Sequence, residues 1–574
     1  MRPLQHCLLD ANLVRLEVIA RFWEVELTSS RQRDVVPQLA KAMARPEAVA
    51  KAWEALPDEH RRALETLLAA GGRMPLRVFA REWGEIRPMG PGRLQREQPW
   101  HDPISPTEGL WYTGFIFRAF DQEAAETYEA IFIPPELRAH LPAPSTPPSI
   151  ITLEPHAKPS MVRSAGDTFL DDACTLLAYL QNEQVHPSSD GDWPARHEAR
   201  LAQRLHDPSP ARRTFLHHLT RRLGWLRFVT GRRKTDADLL RPDPGPVTAW
   251  LRSPANQQRS TLARTWRDDP TWNDLHHVST LYPEDTGAWH NDPLLARRAI
   301  HRHLTACEPE TWYGLDDFVA AVKAADPDFQ RPGGDYTTWY IRDAASGAYL
   351  SGFESWDSVE GALIRYLVTG PLAWLGLTDL GATIPDRPLS AFRLTPAGLP
   401  FLGLGEPPAE PESAGLALRP DFTVHVPPAR RYERFQLARV AQWVRTGDPF
   451  VYRLTPTSLN RARRQGISVV RILAFLDEAT GTNTPVPRYI EAALTRWDAR
   501  GAEARLERGL LLRLSSEELM TQLMSHPRTR RLVREQVGPA VALVRELDWP
   551  RLVAALGELG LLVDVLDLEQ EDAV

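Results

Sequence analysis

Arginine side chains gather at several places in the sequence where they could bind phosphate groups. Arginine suits phosphate because its planar guanidinium can donate two parallel hydrogen bonds to the oxygens. Each cluster also has a simpler interpretation, in which the arginines only solvate the outer face of a helix. The side chains that we predict to contact phosphate are Arg31, Arg33, Arg221, Arg222, Arg232, Arg233, Lys234, Arg430, Arg431, Arg461 and Arg464.

Two of these arginines, Arg461 and Arg464, belong to a helix that is expected to begin at Thr455. Threonine is a good N-cap, and Pro456 suits the first helical position, where its missing N–H costs nothing. Residues three apart share one face of a helix, so both arginines are expected to point to solvent. Arg430, Arg431 and Arg434, which precede the other long helix, could join them in one positive surface.

A second cluster is basic and aromatic. It runs from Arg221 to Phe228 and continues to Arg232, Arg233 and Lys234. This is the densest positive segment before the C-terminal half of the chain, and phosphate contact is one interpretation of it. An aromatic stripe of this kind is more often part of a core, so both interpretations stay open.

Signatures of catalysis are missing from the sequence. No G-x-x-x-x-G-K-[ST] occurs, which excludes ATP hydrolysis by a loop of that type. H-E-x-x-H and G-x-S-x-G are also missing, and Cys7, Cys174 and Cys307 form no C-x-x-C pair. We therefore expect a non-catalytic protein with no cofactor, no metal and no structural disulfide.

Composition limits the partners further. The net charge of -6 and pI near 6.3 exclude a protein that coats nucleic acid by bulk charge, so any DNA contact must use local basic patches. A chain of 574 residues should form several domains. No apolar run approaches the length needed to cross a bilayer, and we expect a cytoplasmic protein without a membrane partner.

The C-terminal third carries the clearest order of elements. Strand-like segments at 422–426 and 451–454 precede helices that Gly466 and Gly481 should end, and another helix is expected from Pro487. The segments RPDFTV, YRLTPTSLNRARRQGIS and PVPRYIEAALTRW resemble the domain found N-terminal to the motor in XPB-type helicases and in bacterial helicase-associated proteins. This resemblance covers roughly 415 to 565. It implies association with DNA transactions and does not imply a motor.

Near the N-terminus, VELTSSRQRDVVPQLAKAM resembles a SAP motif, a helix–loop–helix element that binds DNA. Arg31 and Arg33 stand where that family carries basic residues. A helical pair that merely packs on the next domain is the alternative.

The whole chain is expected to be mainly α with small β-hairpins, an α+β class. It would combine tandem winged-helix-like domains with a C-terminal α/β domain like that N-terminal to the XPB motor. In the winged-helix-like domain after residue 45, two helices should precede a hairpin at 110–120 and 128–134. The expected ranges are 1–45 for the SAP-like pair, 46–141 for a winged-helix-like domain, 142–165 for a Pro-rich linker, 166–292 for a helical or winged-helix-like domain, 293–404 for a winged-helix-like domain, 405–414 for a linker and 415–574 for the helicase-associated domain.

These patterns favour a non-catalytic, DNA-binding or helicase-associated protein that acts in repair, processing or defence. Its DNA contacts would be independent of base sequence, and a helicase or nuclease could be its protein partner. The alternative is a docking scaffold in a repair or phage-defence assembly that does not touch DNA. An enzyme with an unrecognised site is a third possibility.

Overall fold

Small antiparallel sheets and many helices make up the protein, which confirms the predicted mainly α, α+β class. The chain divides into two compact units, Met1–Val486 and Pro487–Val574. Within the described residues no helix is long and apolar enough to cross a membrane. The computed structural model describes residues 2–29, 31–123, 126–142, 151–188, 193–229, 238–284, 286–287, 289–331, 333–382, 389–410, 412–481, 485–501 and 509–565.

In the described residues, the N-terminal part of the first unit packs helices and one sheet around a shared apolar core. The sheet has the order β1-β3-β2. Its elements are α1 (Leu4–Leu9), α2 (Leu13–Phe22), α3 (Gln32–Met43), α4 (Pro46–Glu54), α5 (Asp58–Ala69), β1 (Arg73–Pro75), α6 (Leu76–Trp83), α7 (Pro91–Glu97), α8 (Pro106–Thr113), β2 (Phe117–Glu123), β3 (Glu126–Phe132) and α9 (Pro135–Arg138).

The middle part of the first unit is also helical, with a four-stranded sheet β4-β10-β11-β8 and the two-stranded pairs β5-β6 and β7-β9. Its elements are β4 (Met161–Arg163), α10 (Thr168–Asn182), α11 (Ala195–Ala202), α12 (Pro210–Arg222), β5 (Leu226–Val229), β6 (Leu239–Pro242), α13 (Pro244–Arg252), α14 (Ala255–Arg267), β7 (Leu281–Pro283), α15 (Pro293–Leu304), β8 (Trp312–Gly314), α16 (Leu315–Ala325), β9 (Ile341–Asp343), α17 (Trp356–Leu367), β10 (Thr378–Ala382), β11 (Ala391–Leu394) and α18 (Leu399–Leu402).

The remaining elements lie in the C-terminal third. The first unit ends with β12 (Ala417–Leu418), β13 (Thr423–Val426), α19 (Arg431–Val440), β14 (Gln442–Arg445), β15 (Phe450–Arg453), α20 (Pro456–Arg464) and α21 (Val469–Thr480), whose sheet has the order β12-β13-β15-β14. The second unit contains α22 (Arg488–Arg500), β16 (Leu510–Arg513), α23 (Glu517–Ser525), α24 (Pro527–Arg530), β17 (Val533–Gly538), β18 (Val541–Val544) and α25 (Trp549–Glu558), with the sheet β16-β18-β17.

Local sequence signals predict the helices of the C-terminal third correctly. Thr455 caps α20 by accepting a hydrogen bond from the Ser458 amide, and the Ser458 side chain caps in return. Ser468 caps α21, which ends before Gly481. These elements follow from the sequence because a cap and a stop are decided by residues only a few positions apart.

One local expectation is wrong. Residues 110–113, expected to begin a strand, lie in α8, whose N-cap Ser105 accepts from the Glu108 amide. The phrase RLTP, which leads into α20 at Arg453, recurs at Arg393, where a turn separates it from the short α18. There the Thr395 hydroxyl accepts from the Gly398 amide at 3.0 Å, as a cap does, and it also donates to the Gly376 carbonyl at 2.7 Å. The local hydrogen bond is therefore formed without a helix directly after it.

The Pro-rich segment expected to act as a coreless linker is packed over its described part, 151–165. Strand β4 pairs with β10, and the His156 amide donates to the Trp312 carbonyl at 2.7 Å. Ile151 is buried. Proline removes donors from the backbone, but it does not prevent the remaining amides from pairing with a neighbouring strand.

The predicted linker at 405–414 was expected to isolate the C-terminal block, but helix α19 packs directly against α10 inside the first unit. The division instead falls between Val486 and Pro487. Composition marks the polar stretch correctly, but it says nothing about which apolar and charged faces meet on either side of it.

Candidate nucleic-acid interface

Buried ion pairs hold α19 against α10. Arg431, which is 1% exposed, donates to Asp171 at 2.8 Å and to Asp167 at 2.9 Å. Arg434 donates to the Asp171 carbonyl at 2.6 Å, and its guanidinium lies 3.7 Å from the centre of the Phe450 ring. Burial raises the pKa of Asp167, but Arg431 and Arg259 outweigh it and leave that pKa below its ordinary value. These arginines join two parts of the fold.

Two helices end side by side near this contact, and arginines cap their last carbonyls. Arg241 on β6 donates to the carbonyl of Leu180 and, at 2.6 Å, to that of Glu183. Arg461 on α20 donates to the carbonyls of Ala438 at 3.0 Å and Ala441 at 2.8 Å. The C-terminal carbonyls of a helix lack partners and carry partial negative charge, so both arginines stabilise the junction.

Beside this junction lies an open recess of about 620 Å³, which we call the arginine cleft. Its walls come from the end of α10, from α11, from β6 and from α20. The lining residues are Gln181, Asn182, Glu183, Gln184, Arg196, His197, Arg200, Arg241, Arg461, Arg464 and Gln465.

Three arginines of the cleft are exposed. Arg196 and Arg200 lie one turn apart on α11, and no hydrogen bond or ion pair holds either guanidinium within the described part of the chain. Arg464 on α20 has one long hydrogen bond, 3.5 Å from Nε to the Asn460 carbonyl. The carboxylate among the described lining residues, Glu183, lies 3.8 Å from Arg204. The cleft therefore has a surplus of positive charge that an anion could neutralise.

A buried histidine lies between the two arginines of α11. His197 is 4% exposed, and its Nδ1 lies 2.8 Å from the Tyr179 hydroxyl. Burial first and Arg196 second lower its pKa, so the ring is neutral at pH 7. When Tyr179 donates to Nδ1, Nε2 carries the hydrogen, and this Nε2 has no hydrogen-bond partner among the described residues. His197 therefore lines the cleft without adding a positive charge to it.

The predicted positive surface is only partly assembled. Arg461 and Arg464 both line the cleft, but Arg461 is engaged by two carbonyls, and burial lowers its pKa. The expectation that Arg461 points freely to solvent is therefore wrong, although the opposite face of α20 is buried through Leu459 and Ala462. A helical position indicates a face, but it does not reveal the carbonyls of a neighbouring helix.

Arg430, Arg431 and Arg434 do not join that surface. Arg431 and Arg434 are buried in the ion-pair network, where they cannot reach a phosphate. Arg430 is half-buried and donates to the carbonyls of Ser413 and Ala414, 2.9 Å and 3.2 Å away. The prediction of phosphate contact is thus wrong for Arg431.

The other predicted residues lie elsewhere. Arg31 and Arg33 are exposed at the start of α3, and Arg221 is exposed at the end of α12. Arg222 lies 3.2 Å from the buried carboxylate of Asp269. Arg232, Arg233 and Lys234 lie outside the described residues. The arginine cleft is not lined by any of the described residues of this set, Arg31, Arg33, Arg221 and Arg222.

Sequence reasoning missed Arg196, His197, Arg200 and Arg241. The spacing of Arg196 and Arg200 places them on one helical face, which was a usable signal. Nothing in the sequence near Arg241 indicates that β6 brings it to the end of α10.

In a comparison with protein families, residues 416–537 match the family described as the helicase conserved C-terminal domain. The chain therefore contains a helicase C-terminal-like domain in the region where the resemblance was seen, and α20, one wall of the arginine cleft, belongs to it. A comparison with curated proteins finds no match.

Proposed function

We propose that this protein is a non-catalytic, helicase-associated component of DNA transactions, which binds the phosphate backbone of DNA in the arginine cleft. The observation that carries the proposal is the group of three exposed arginines, Arg196, Arg200 and Arg464, around one recess. Guanidinium groups that no carboxylate neutralises can each take a phosphate and release its counterions.

The setting of the cleft supports this role. One wall belongs to the helicase C-terminal-like domain, and the buried network of Arg431 and Arg434 ties that domain to the rest of the first unit. Phosphate contacts carry no base information, so binding would be independent of sequence. A helicase or nuclease partner would supply the chemistry in repair, processing or defence, because this chain lacks the phosphate loop of an ATPase.

The test is a double charge reversal, Arg196→Glu with Arg200→Glu, in the full-length protein. Binding to a fluorescein-labelled duplex is measured by anisotropy over a range of salt concentrations. A plot of log K against log salt has a negative slope, and this slope should become less steep by roughly 0.9 for every phosphate that the variant no longer neutralises. Affinity should fall equally for unrelated duplex sequences.

A matched control reverses two exposed arginines outside the cleft, Arg21→Glu with Arg45→Glu. It changes the net charge by the same amount and should keep the wild-type slope. Equal slopes for the wild type and the Arg196/Arg200 variant would overturn the assignment of the cleft. Absence of DNA binding by the wild type would overturn the function and favour the docking scaffold.

A further inference from the structure

A common order of elements occurs three times among the described residues. In each case a short strand, two helices and a β-hairpin come in this order along the chain, and the short strand pairs with the second strand of the hairpin. Helix α7 is inserted between the two helices of the first set, and strand β9 between those of the second. The three sets are β1, α6, α8, β2 and β3; β8, α16, α17, β10 and β11; and β16, α23, α24, β17 and β18. The third set forms the sheet of the second unit.

The helix that precedes the hairpin differs among the three sets. In the first two sets this helix is α8 or α17, and most of its residues are buried in the first unit. In the third set it is α24, in which only Thr529 is buried. The Thr529 hydroxyl donates to the Leu523 carbonyl at 2.6 Å, which anchors the segment to α23. The helix that precedes the hairpin is thus largely buried in the first unit and largely exposed in the second.

The exposed residues of this segment are basic. Arg528, Arg530, Arg531 and Arg534 are all exposed, whereas Leu532 and Val533 between them point inward. Arg528 lies 3.0 Å from Glu558, in a pair that is itself solvent-exposed and therefore weak. Within the described residues the side chains of Arg530 and Arg531 have no hydrogen bond or ion pair.

We propose that this basic segment, Arg528 to Arg534, together with the β17–β18 hairpin, is a second surface that binds the phosphate backbone of duplex DNA. In helix-turn-helix modules the second helix of the pair approaches the duplex and flanking elements contact its backbone. Helix α24 has only four residues, which is too short to fill a groove, so its arginines contact phosphates. The exposed strand β17 and Val537, 53% exposed, extend the surface along the hairpin.

This proposal rests on the proposed function for its ligand, but it concerns different residues. The experiment uses the full-length protein with Arg530→Glu and Arg531→Glu, and the same labelled duplex and salt series. The slope of log K against log salt should be less steep than that of the wild type by roughly 0.9 for each phosphate released from this segment. The control, Arg488→Glu with Arg513→Glu, reverses two exposed arginines of the second unit outside this segment. Its slope should match that of the wild type.

Folding is checked by circular dichroism, and the milder pair Arg530→Gln and Arg531→Gln should give a smaller change in the same direction. A wild-type slope in both Arg530/Arg531 variants, with a reduced slope in the Arg196/Arg200 variant, overturns this proposal and leaves the proposed function standing. A reduced slope only in the Arg530/Arg531 variants supports it and overturns the cleft. If the wild type binds no duplex, both proposals fail, and an acidic protein becomes the expected partner of this surface.

Discussion

At the scale of single residues, arginine has three different roles in this protein. Arg431 is buried between two carboxylates, Arg461 caps a neighbouring helix, and Arg464 is exposed at the cleft. In the sequence these side chains look alike, and all three were predicted to bind phosphate. Helical periodicity could not separate them, because the carboxylates and carbonyls that engage Arg431 and Arg461 come from other helices.

Arg431→Met should lower the free energy of unfolding of the first unit by about 3 kcal/mol, because it leaves the buried carboxylate of Asp171 with one cation fewer. Urea unfolding followed by tryptophan fluorescence measures the change. Arg430, the residue before Arg431, is half-buried and donates hydrogen bonds to carbonyl oxygens, and its substitution is the control. Arg430→Met should cost less than about 1 kcal/mol, and equal costs would show that the buried network contributes little.

At the scale of elements, the sequence predicts best where the deciding partners are near in the chain. Thr455 and Ser468 cap helices as expected, since each accepts from an amide three residues on. Thr395 stands in the same local phrase as Thr455 and also accepts from an amide three residues on, but a turn follows it, and its hydroxyl donates to a carbonyl 19 residues away. A local capping hydrogen bond therefore favours a helix but does not by itself start one.

Thr455→Ala should destabilise α20 by about 1 kcal/mol, because the amide of Ser458 loses its acceptor. Thr457→Ala, two residues further on the exposed face of the same helix, is the matched control and should change stability by less than about 0.5 kcal/mol. Thermal unfolding compares the two variants. Since α20 carries Arg464, the Thr455 variant should also bind DNA more weakly. Identical unfolding curves for the two variants would show that the Thr455 cap does not stabilise α20.

At the scale of the whole molecule, the polar linker composition at 405–414 suggested a boundary that the packing does not respect. Residues 415–486 belong to the first unit, because α19 covers α10 and supplies the cations for Asp167 and Asp171. The match to the helicase domain also crosses the division at 486. Sequence families and compact units need not share boundaries, since a family records sequence similarity and a compact unit records contacts.

The difference between the boundary suggested at 405–414 and the division at 486 predicts opposite outcomes for two truncations. A fragment that ends at 486 keeps the whole arginine cleft and the network around Asp171, so it should stay in solution without aggregating and unfold cooperatively. A fragment that ends at 414 loses Arg431 and Arg434, which leaves the buried carboxylate of Asp171 and the half-buried one of Asp167 short of cations and exposes the face of α10 around Cys174.

The shorter fragment should therefore aggregate or unfold at a lower temperature, as gel filtration and a thermal scan would show. If the 1–414 fragment were as stable as the 1–486 fragment, a domain boundary at 405–414, as composition suggested, would be supported. The longer fragment also separates the two proposed DNA surfaces, because it retains Arg196 and Arg200 but lacks Arg530 and Arg531. Its binding should be weaker than that of the full chain and should depend less steeply on salt, by roughly 0.9 in the slope for each phosphate that the second unit neutralises.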